Sequence, residues 1–149
     1  MDDPKVKLSE ALKQAMLNKD TLRRDVIRMV QSEIKQAEID GRKTLTPDES
    51  MSILQREVKK RRESIDEARK NGREDIATAT EAEVVILTDF LPEQLSREQV
   101  VAFAKEAIAE SGATSAKEMG KIMAVLMPKV KGVADGKLVN EVVRELLSS

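Results

Sequence analysis

The 149-residue sequence contains no cysteine, no histidine, no tryptophan and no tyrosine, and its only aromatic residues are Phe90 and Phe103. The absence of cysteine excludes disulfide bonds, a thiolate nucleophile and iron–sulfur or cysteine-ligated zinc sites. The absence of histidine excludes a Ser-His-Asp triad and imidazole metal ligands. Since so few aromatic residues are present, RNA-binding folds that stack bases on exposed aromatic platforms are also disfavoured.

Charged residues make up 36% of the chain and hydrophobic residues 40%, with a formal net charge of -1, which is typical of a folded protein rather than a disordered one. Abundant Lys, Glu, Arg and Leu with few Gly or Pro favour helices. No apolar run approaches the roughly 18 residues of a membrane span. The N-terminal segment MDDPKVK lacks the apolar core of a secretory signal peptide. We therefore expect a cytoplasmic protein that does not enter a membrane.

Apolar residues recur every three or four positions along the chain, and no segment shows sustained period-two alternation. This pattern predicts an all-α protein with seven helices. Four helices lie in residues 1–92 and three in residues 96–149, and the fourth is expected to reach Leu91, where Pro92 stops it. We interpret the two parts as a larger N-terminal helical domain and a small C-terminal three-helix domain.

Local signals predict where several helices begin and end. Capping boxes are expected at Thr46–Glu49, Ser96–Gln99 and Ser115–Glu118, because each has a hydroxyl residue three positions before Glu or Gln. Gly41 is expected to end the second helix, and Pro128 is expected to break the sixth.

The most unusual stretch is Lys117–Lys137. It contains five lysines and only two acidic residues, Glu118 and Asp135, which gives a local excess of three positive charges. Lysines attract phosphate regardless of nucleotide sequence, and glycines let a backbone approach phosphate closely. An alternative is that these charges are simply solvated and the glycines serve turns. We expect Asp135 to cap the last helix. The candidate RNA-binding residues are Lys117, Lys121, Lys129, Lys131, Lys137, Gly132 and Gly136.

A second basic cluster consists of Lys59, Lys60, Arg61 and Arg62. Four consecutive residues on a helix point in all directions, and nearby carboxylates at helical spacing can offset them. A structural role is therefore the simpler interpretation. The alternative is that Arg61 and Arg62 face a groove between helices, since they interrupt the apolar stripe.

Adjacent carboxylates occur mainly at helix starts and ends, where they complement the helix dipole or solvate a loop. None forms a spaced set typical of a metal site or an acid–base pair, and the chain has neither a P-loop nor a dinucleotide-binding glycine motif. We therefore predict no catalytic residue, no metal site and no cofactor.

Several segments resemble one protein family. The most specific are Glu118–Met123 (EMGKIM) and Met127–Asn140 (MPKVKGVADGKLVN), and Ile86–Leu95 (ILTDFLPEQL) lies upstream of them. Asp25–Val30 and Glu57–Ser64 are also similar to the corresponding parts of this family. Together they resemble the GatB/YqeY family, in particular the stand-alone YqeY-like proteins, over essentially the whole chain.

The resemblance implies a two-part helical fold whose C-terminal part is similar to the tail of the B subunit of the glutamine-dependent tRNA amidotransferase. That tail helps to hold the tRNA, while the chemistry occurs in other domains. The family label is carbon–nitrogen ligase with glutamine as amide donor, but this sequence has no kinase-like domain to activate misacylated tRNA.

We therefore expect a non-catalytic, tRNA-associated accessory protein, with tRNA and a tRNA amidotransferase or synthetase as candidate partners. One alternative is a protein-interaction module that docks on an amidotransferase, a synthetase or the ribosome. Another is a ligase in its own right.

Overall fold

The computed structural model describes residues 3–148, and within this range the chain forms seven α-helices and one 3-10 turn, with no strand. The prediction of an all-α protein is confirmed. The described residues form two compact units that divide between Leu91 and Pro92. Independent folding of 1–92 and 96–149 as separate domains stays a prediction. Within the described range, none of the helices combines the length and apolar character that crossing a membrane would need.

The first unit contains four helices, which are α1 (Pro4–Leu17), α2 (Thr21–Gly41), α3 (Pro47–Lys70) and α4 (Glu74–Thr88). Each helix contributes a fully buried leucine or isoleucine to a shared core, namely Leu8, Ile27, Leu54 and Leu87. Burying a side chain of this size is worth about 1.5–3 kcal/mol. The apolar stripes read from the sequence therefore meet in one place.

The capping boxes at Thr46 and Ser96 are confirmed. In each, the hydroxyl accepts a hydrogen bond from the backbone N–H three residues later, and the Glu or Gln side chain at that position accepts one from the backbone N–H of the capping residue. The second helix ends differently from the prediction. Gly41 is its last helical residue, and Arg42 takes the left-handed conformation with φ 51°. The N–H of Lys43 then donates to the carbonyl of Glu38 at 3.1 Å, which is the Schellman arrangement that glycine usually completes.

The fourth helix ends at Thr88 rather than at Leu91. Phe90 and Leu91 donate their N–H groups to carbonyls three residues earlier, so the chain tightens into turns before Pro92. A residue that precedes proline is disfavoured in the α conformation, which accounts for Leu91, but the helix already ends three residues earlier.

The second unit contains α5 (Arg97–Ser111), a 3-10 turn (Ala116–Glu118), α6 (Met119–Val130) and α7 (Gly136–Ser148). Helix α5 packs against both α6 and α7, and the 3-10 turn contacts both of those helices. Ala104 and Ala107 of α5 are fully buried, which lets the neighbouring helices approach closely. The centre of this core is formed by Val100, Ala104, Ala107, Ile122, Leu126 and Val139.

Two local predictions in this unit are wrong. Ser115 makes no side-chain capping bond, because the segment after it is a 3-10 turn rather than the first turn of an α-helix. Pro128 does not break α6, which continues to Val130. The proline ring deprives the Ala124 carbonyl of its usual donor, but Ala124 is exposed, so water can replace the lost hydrogen bond.

Candidate nucleic-acid interface

The exposed face of α6 carries positive charge and small side chains. Its exposed residues are Gly120, Lys121, Ala124, Pro128 and Lys129, and the helix contains no acidic residue. The opposite face is buried against α5, so the apolar stripe of α6 determines which residues point outward. The result is a narrow, basic strip with little steric bulk.

Two further lysines lie at the ends of this strip. Lys117 is exposed in the 3-10 turn, four residues before Lys121, and Lys131 is exposed directly after the last residue of α6. Among residues 3–148, no carboxylate lies within ion-pair distance of Lys117, Lys121 or Lys131. These three ammonium groups are therefore available to an external anion.

Lys129 differs from these three lysines. Its ammonium group lies 2.9 Å from the carboxylate of Glu110 on α5, and both side chains are partly exposed. A surface ion pair of this kind is weak, but it lowers the local positive potential. The structure therefore separates Lys129 from Lys117, Lys121 and Lys131.

The connection between α6 and α7 runs from Lys131 to Asp135. Gly132 has φ 81°, a left-handed conformation in which other residues are strained. Asp135 begins α7 as predicted, since its carboxylate accepts from the N–H of Lys137 at 3.4 Å. Gly136 is the first residue of α7, and no neighbouring atom lies near the position that a side chain there would occupy.

The segment before α5 is bonded to this connection. The N–H of Leu95 donates to the carbonyl of Val133 at 2.7 Å. The amide of Gln94 donates to the carbonyl of Gly132 at 3.2 Å and to that of Pro92 at 2.8 Å. The connection that carries Lys131 is thus held by residues almost 40 positions earlier in the chain, a contact that no sequence pattern signals.

The second basic cluster does not form a continuous basic surface. Arg61 is almost buried and pairs with Glu57 at 2.8 Å and with Glu83 of α4 at 3.5 Å. Lys60 lies 3.5 Å from Glu57. Arg62 is half-buried and has its own partner, whereas Lys59 is exposed. Arg61 therefore does lie between helices, where it serves packing.

The first unit also has an exposed apolar surface that the sequence pattern does not reveal. At the turn between α1 and α2, Met16 is 52% and Leu17 is 75% exposed. Beside them is an open cavity of about 350 Å³, which is lined by Ala15, Met16, Lys19, Asp20, Thr21 and Arg24. Exposed apolar residues in a helical pattern are hard to distinguish from core residues, because Met16 continues the stripe of Leu8 and Leu12.

Among residues 3–148, no three carboxylates are placed so that they could hold a metal ion together. The basic strip and the α1–α2 turn are two surfaces with a recognisable chemical character. The first suits an anionic backbone, and the second suits an apolar side chain.

Comparison with known proteins identifies the family. The family model described as "Yqey-like protein" matches residues 5–147. The chain is 38% identical over 85 residues to "Altered inheritance of mitochondria protein 41, mitochondrial" of Vanderwaltozyma polyspora, covering 56% of this chain and 46% of that protein. It is 28% identical over 148 residues to the protein of the same name from Pyrenophora tritici-repentis, covering 96% of this chain and 80% of that protein.

The protein of this name from Kluyveromyces lactis is 40% identical over 97 residues, which cover 62% of this chain and 52% of that protein. The chain thus spans about half the length of the yeast relatives.

The expectation of a cytoplasmic protein is contradicted, because these relatives are named mitochondrial proteins. The reason for the error is that a missing signal-peptide core bears only on secretion. Mitochondrial targeting uses a different kind of segment, which is amphipathic and rich in arginine. The family match over residues 5–147 covers nearly all of the chain, and we conclude that this protein belongs to the YqeY-like family.

Proposed function

We propose that this protein is a non-catalytic accessory protein that binds tRNA through its second unit. The observation that carries the proposal is the exposed face of α6, to which the helix contributes lysines and small residues but no carboxylate. Lys117 and Lys131 extend this face at its two ends. We call Lys117, Lys121 and Lys131 the unpaired lysines.

The chemistry of this surface suits a phosphate backbone. Lysine binds phosphate as a point charge and releases the counterions condensed on the nucleic acid, which favours association at low salt. Gly120 and Ala124 add little bulk between the lysines, so a backbone can approach the helix closely. Contacts of this kind position a nucleic acid without reading its bases.

The family relationship supports tRNA as the nucleic acid. The segments Glu118–Met123 and Met127–Asn140, which most resemble the tRNA-holding tail of the amidotransferase B subunit, include most of α6 and the connection to α7. The basic strip therefore lies in the part of the chain that resembles this tail, and the resemblance implies contact with tRNA there. A tRNA amidotransferase or a synthetase is the corresponding protein partner.

The test is filter binding of total tRNA to the full chain over a series of salt concentrations. We expect log K to fall linearly with log salt, by roughly 0.9 for each phosphate neutralised. A variant with Lys117, Lys121 and Lys131 changed to alanine is expected to lose most of its affinity, and its slope is expected to be smaller by about three.

The matched control changes three exposed lysines of the first unit, Lys13, Lys35 and Lys70, to alanine. Because the change in net charge is the same, this control separates a local site from general attraction. No binding by the natural chain at low salt would refute the proposal. Equal losses in the two triple variants would also refute it.

A second candidate function, a protein-interaction module, is favoured by the turn between α1 and α2. Leu17 is 75% exposed there beside the 350 Å³ cavity, and an apolar side chain of a partner can fill such a cavity. The large apolar side chains that are exposed within residues 3–148 all lie in the first unit, namely Val6, Met16, Leu17, Leu22, Ile39, Ile76 and Val85.

A pull-down from lysate treated with nuclease distinguishes the two functions. Protein partners that persist after nuclease, and that are lost with Leu17→Asp, favour the interaction module. The matched control is Ile39→Asp, because Ile39 is 59% exposed at the far end of α2. Partners that disappear with nuclease favour tRNA binding.

A further inference from the structure

The connection between α6 and α7 is hydrogen-bonded to residues that belong to neither of these helices. Two consecutive residues, Gln94 and Leu95, donate hydrogen bonds to the consecutive carbonyls of Gly132 and Val133, at 3.2 Å and 2.7 Å. Lys131 lies immediately before these carbonyls. The position of its backbone therefore depends on the segment that links the fourth and fifth helices.

Gln94 is suited to this role by its chemistry. The side-chain amide has two N–H donors, and here the same nitrogen faces two carbonyl acceptors, those of Pro92 and Gly132. Both acceptors require donors, so the orientation of the amide follows from its surroundings. The side chain bridges the linking segment and the connection, and an isosteric apolar residue would lose both bonds.

We propose that Gln94 is a positioning residue for RNA binding, which holds the Lys131–Asp135 connection in the conformation that presents Lys131 to a phosphate backbone. This inference rests on the proposed tRNA binding and adds a residue that carries no charge and needs no contact with RNA. RNA affinity is then coupled to the stability of the hydrogen bonds that the linking segment makes. By thermodynamic reciprocity, bound RNA stabilises the hydrogen bonds of Gln94 and Leu95 as much as those bonds favour binding.

The test compares the full natural chain with Gln94→Met, which keeps the length of the side chain and removes both donors. Total tRNA is the probe, at several salt concentrations. We expect the affinity of Gln94→Met to fall roughly threefold to tenfold, as for the loss of one or two hydrogen bonds. The slope of log K against log salt is expected to stay unchanged, because the number of phosphate-binding lysines is the same. Gln14→Met, on the exposed side of α1, is the control.

Hydrogen exchange supplies the readout that a merely structural role would not change. Adding tRNA to the natural chain is expected to slow exchange of the Leu95 N–H, and this slowing is expected to be weaker in Gln94→Met. Unchanged affinity of Gln94→Met overturns the positioning role and leaves tRNA binding intact. An affinity loss with no effect of tRNA on Leu95 exchange overturns the coupling. If the natural chain binds no tRNA, the proposed function fails and this inference fails with it.

Discussion

The guanidinium group of Arg61 lies 2.8 Å from the carboxylate of Glu57, one turn earlier on α3, and the two side chains are only 11% and 7% exposed. Glu83 of α4 lies 3.5 Å from the same guanidinium group, and the sulfur of Met29 on α2 lies 3.1 Å from it. The pair therefore sits where three helices of the first unit meet. Because both charges are shielded from water, each is stabilised mainly by the other.

The first prediction concerns this buried pair. Arg61→Met is expected to lower the free energy of unfolding by about 3 kcal/mol, because it leaves the buried Glu57 with only the ammonium group of Lys60 at 3.5 Å. Urea unfolding followed by circular dichroism measures the change. The double variant with Glu57→Leu is expected to recover most of the loss, since the charge that then lacks its partner, on Glu83, is 31% exposed to water.

Arg61 also tests the role of the second basic cluster. At a temperature where Arg61→Met is folded, its tRNA affinity and salt slope are expected to equal those of the natural chain. A slope lower by about one would show instead that Arg61 contacts phosphate.

The second prediction distinguishes two lysines of the basic strip. Lys131→Ala is expected to lower the slope of log K for tRNA against log salt by about one. Lys129→Ala is expected to have a smaller effect, because Lys129 already pairs with Glu110 at 2.9 Å. Filter binding of tRNA measures both. Glu110→Gln is expected to strengthen binding, and weaker binding by that variant would contradict this account.

The third prediction concerns helix caps. Thr46→Ala and Ser96→Ala are each expected to reduce stability by about 1 kcal/mol, because each removes a capping bond that is present in the structure. Ser115→Ala is expected to change stability by less than about 0.5 kcal/mol, since Ser115 makes no such bond. Thermal unfolding of the three variants provides the comparison, and a loss at Ser115 equal to the others would refute it.

The fourth prediction concerns the end of α2. Arg42→Gly is expected to raise the free energy of unfolding by about 0.5 kcal/mol, because an L-residue at φ 51° is strained and the entropy cost of glycine offsets only part of the relief. Gly72→Ala is the opposite case. With φ 69° at that position, alanine is expected to destabilise the chain by about 1 kcal/mol. Urea unfolding measures both changes. If the two variants change the free energy of unfolding in the same direction, the prediction is wrong.

The fifth prediction concerns pH. A hydrogen bond from the Lys5 ammonium group, and another from the N–H of Leu45 at 2.8 Å, hold the pKa of Glu38 below its ordinary value of 4.5. A carboxylate whose pKa is lower in the folded state binds protons more readily when unfolded. Its contribution to stability is therefore complete above pH 4.5 and is lost as the pH falls through the lowered pKa.

Glu38→Gln is accordingly expected to destabilise the protein at neutral pH and to flatten the loss of stability on acidification. Urea midpoints between pH 3 and pH 7 measure this effect. Glu33→Gln, an exposed change on the same helix, is the control. A parallel pH profile for Glu38→Gln and the natural chain would rule out the contribution of Glu38.

Much of the fold could be predicted because its signals are local. The spacing of Leu8, Ile27 and Leu54 within their own helices predicts which face of each is buried, and the capping boxes at Thr46 and Ser96 involve residues three positions apart. The same spacing at Ser115 was misleading, since a capping box requires an α-helical first turn and a 3-10 turn forms there. Pro128 was misleading for a related reason. Ala124, whose carbonyl loses its hydrogen-bond donor because of the proline, is exposed to water, and α6 continues past Pro128.

The candidate site could be predicted only as a set of residue types. The excess of lysine between Lys117 and Lys137 is visible in the chain, but the partner of Lys129 is Glu110, 19 positions away on another helix. The bonds from Gln94 and Leu95 to the connection after α6 span almost 40 positions. The compartment was predicted wrongly, because the absence of a secretory signal peptide does not bear on mitochondrial targeting.

The helical class, most helix boundaries and the family follow from the amino-acid sequence alone, because periodicity, capping residues and family segments are properties of neighbouring positions. Three-dimensional packing is needed to show which charges are paired, which lysines can bind an external anion and which residues hold the connection between α6 and α7. Hydrogen bonds and close ion pairs form only at about 3–4 Å, and only packing brings distant residues that close. Arg61 is the clearest case, because one basic residue among four became a buried structural cation through contact with Glu83 and Met29.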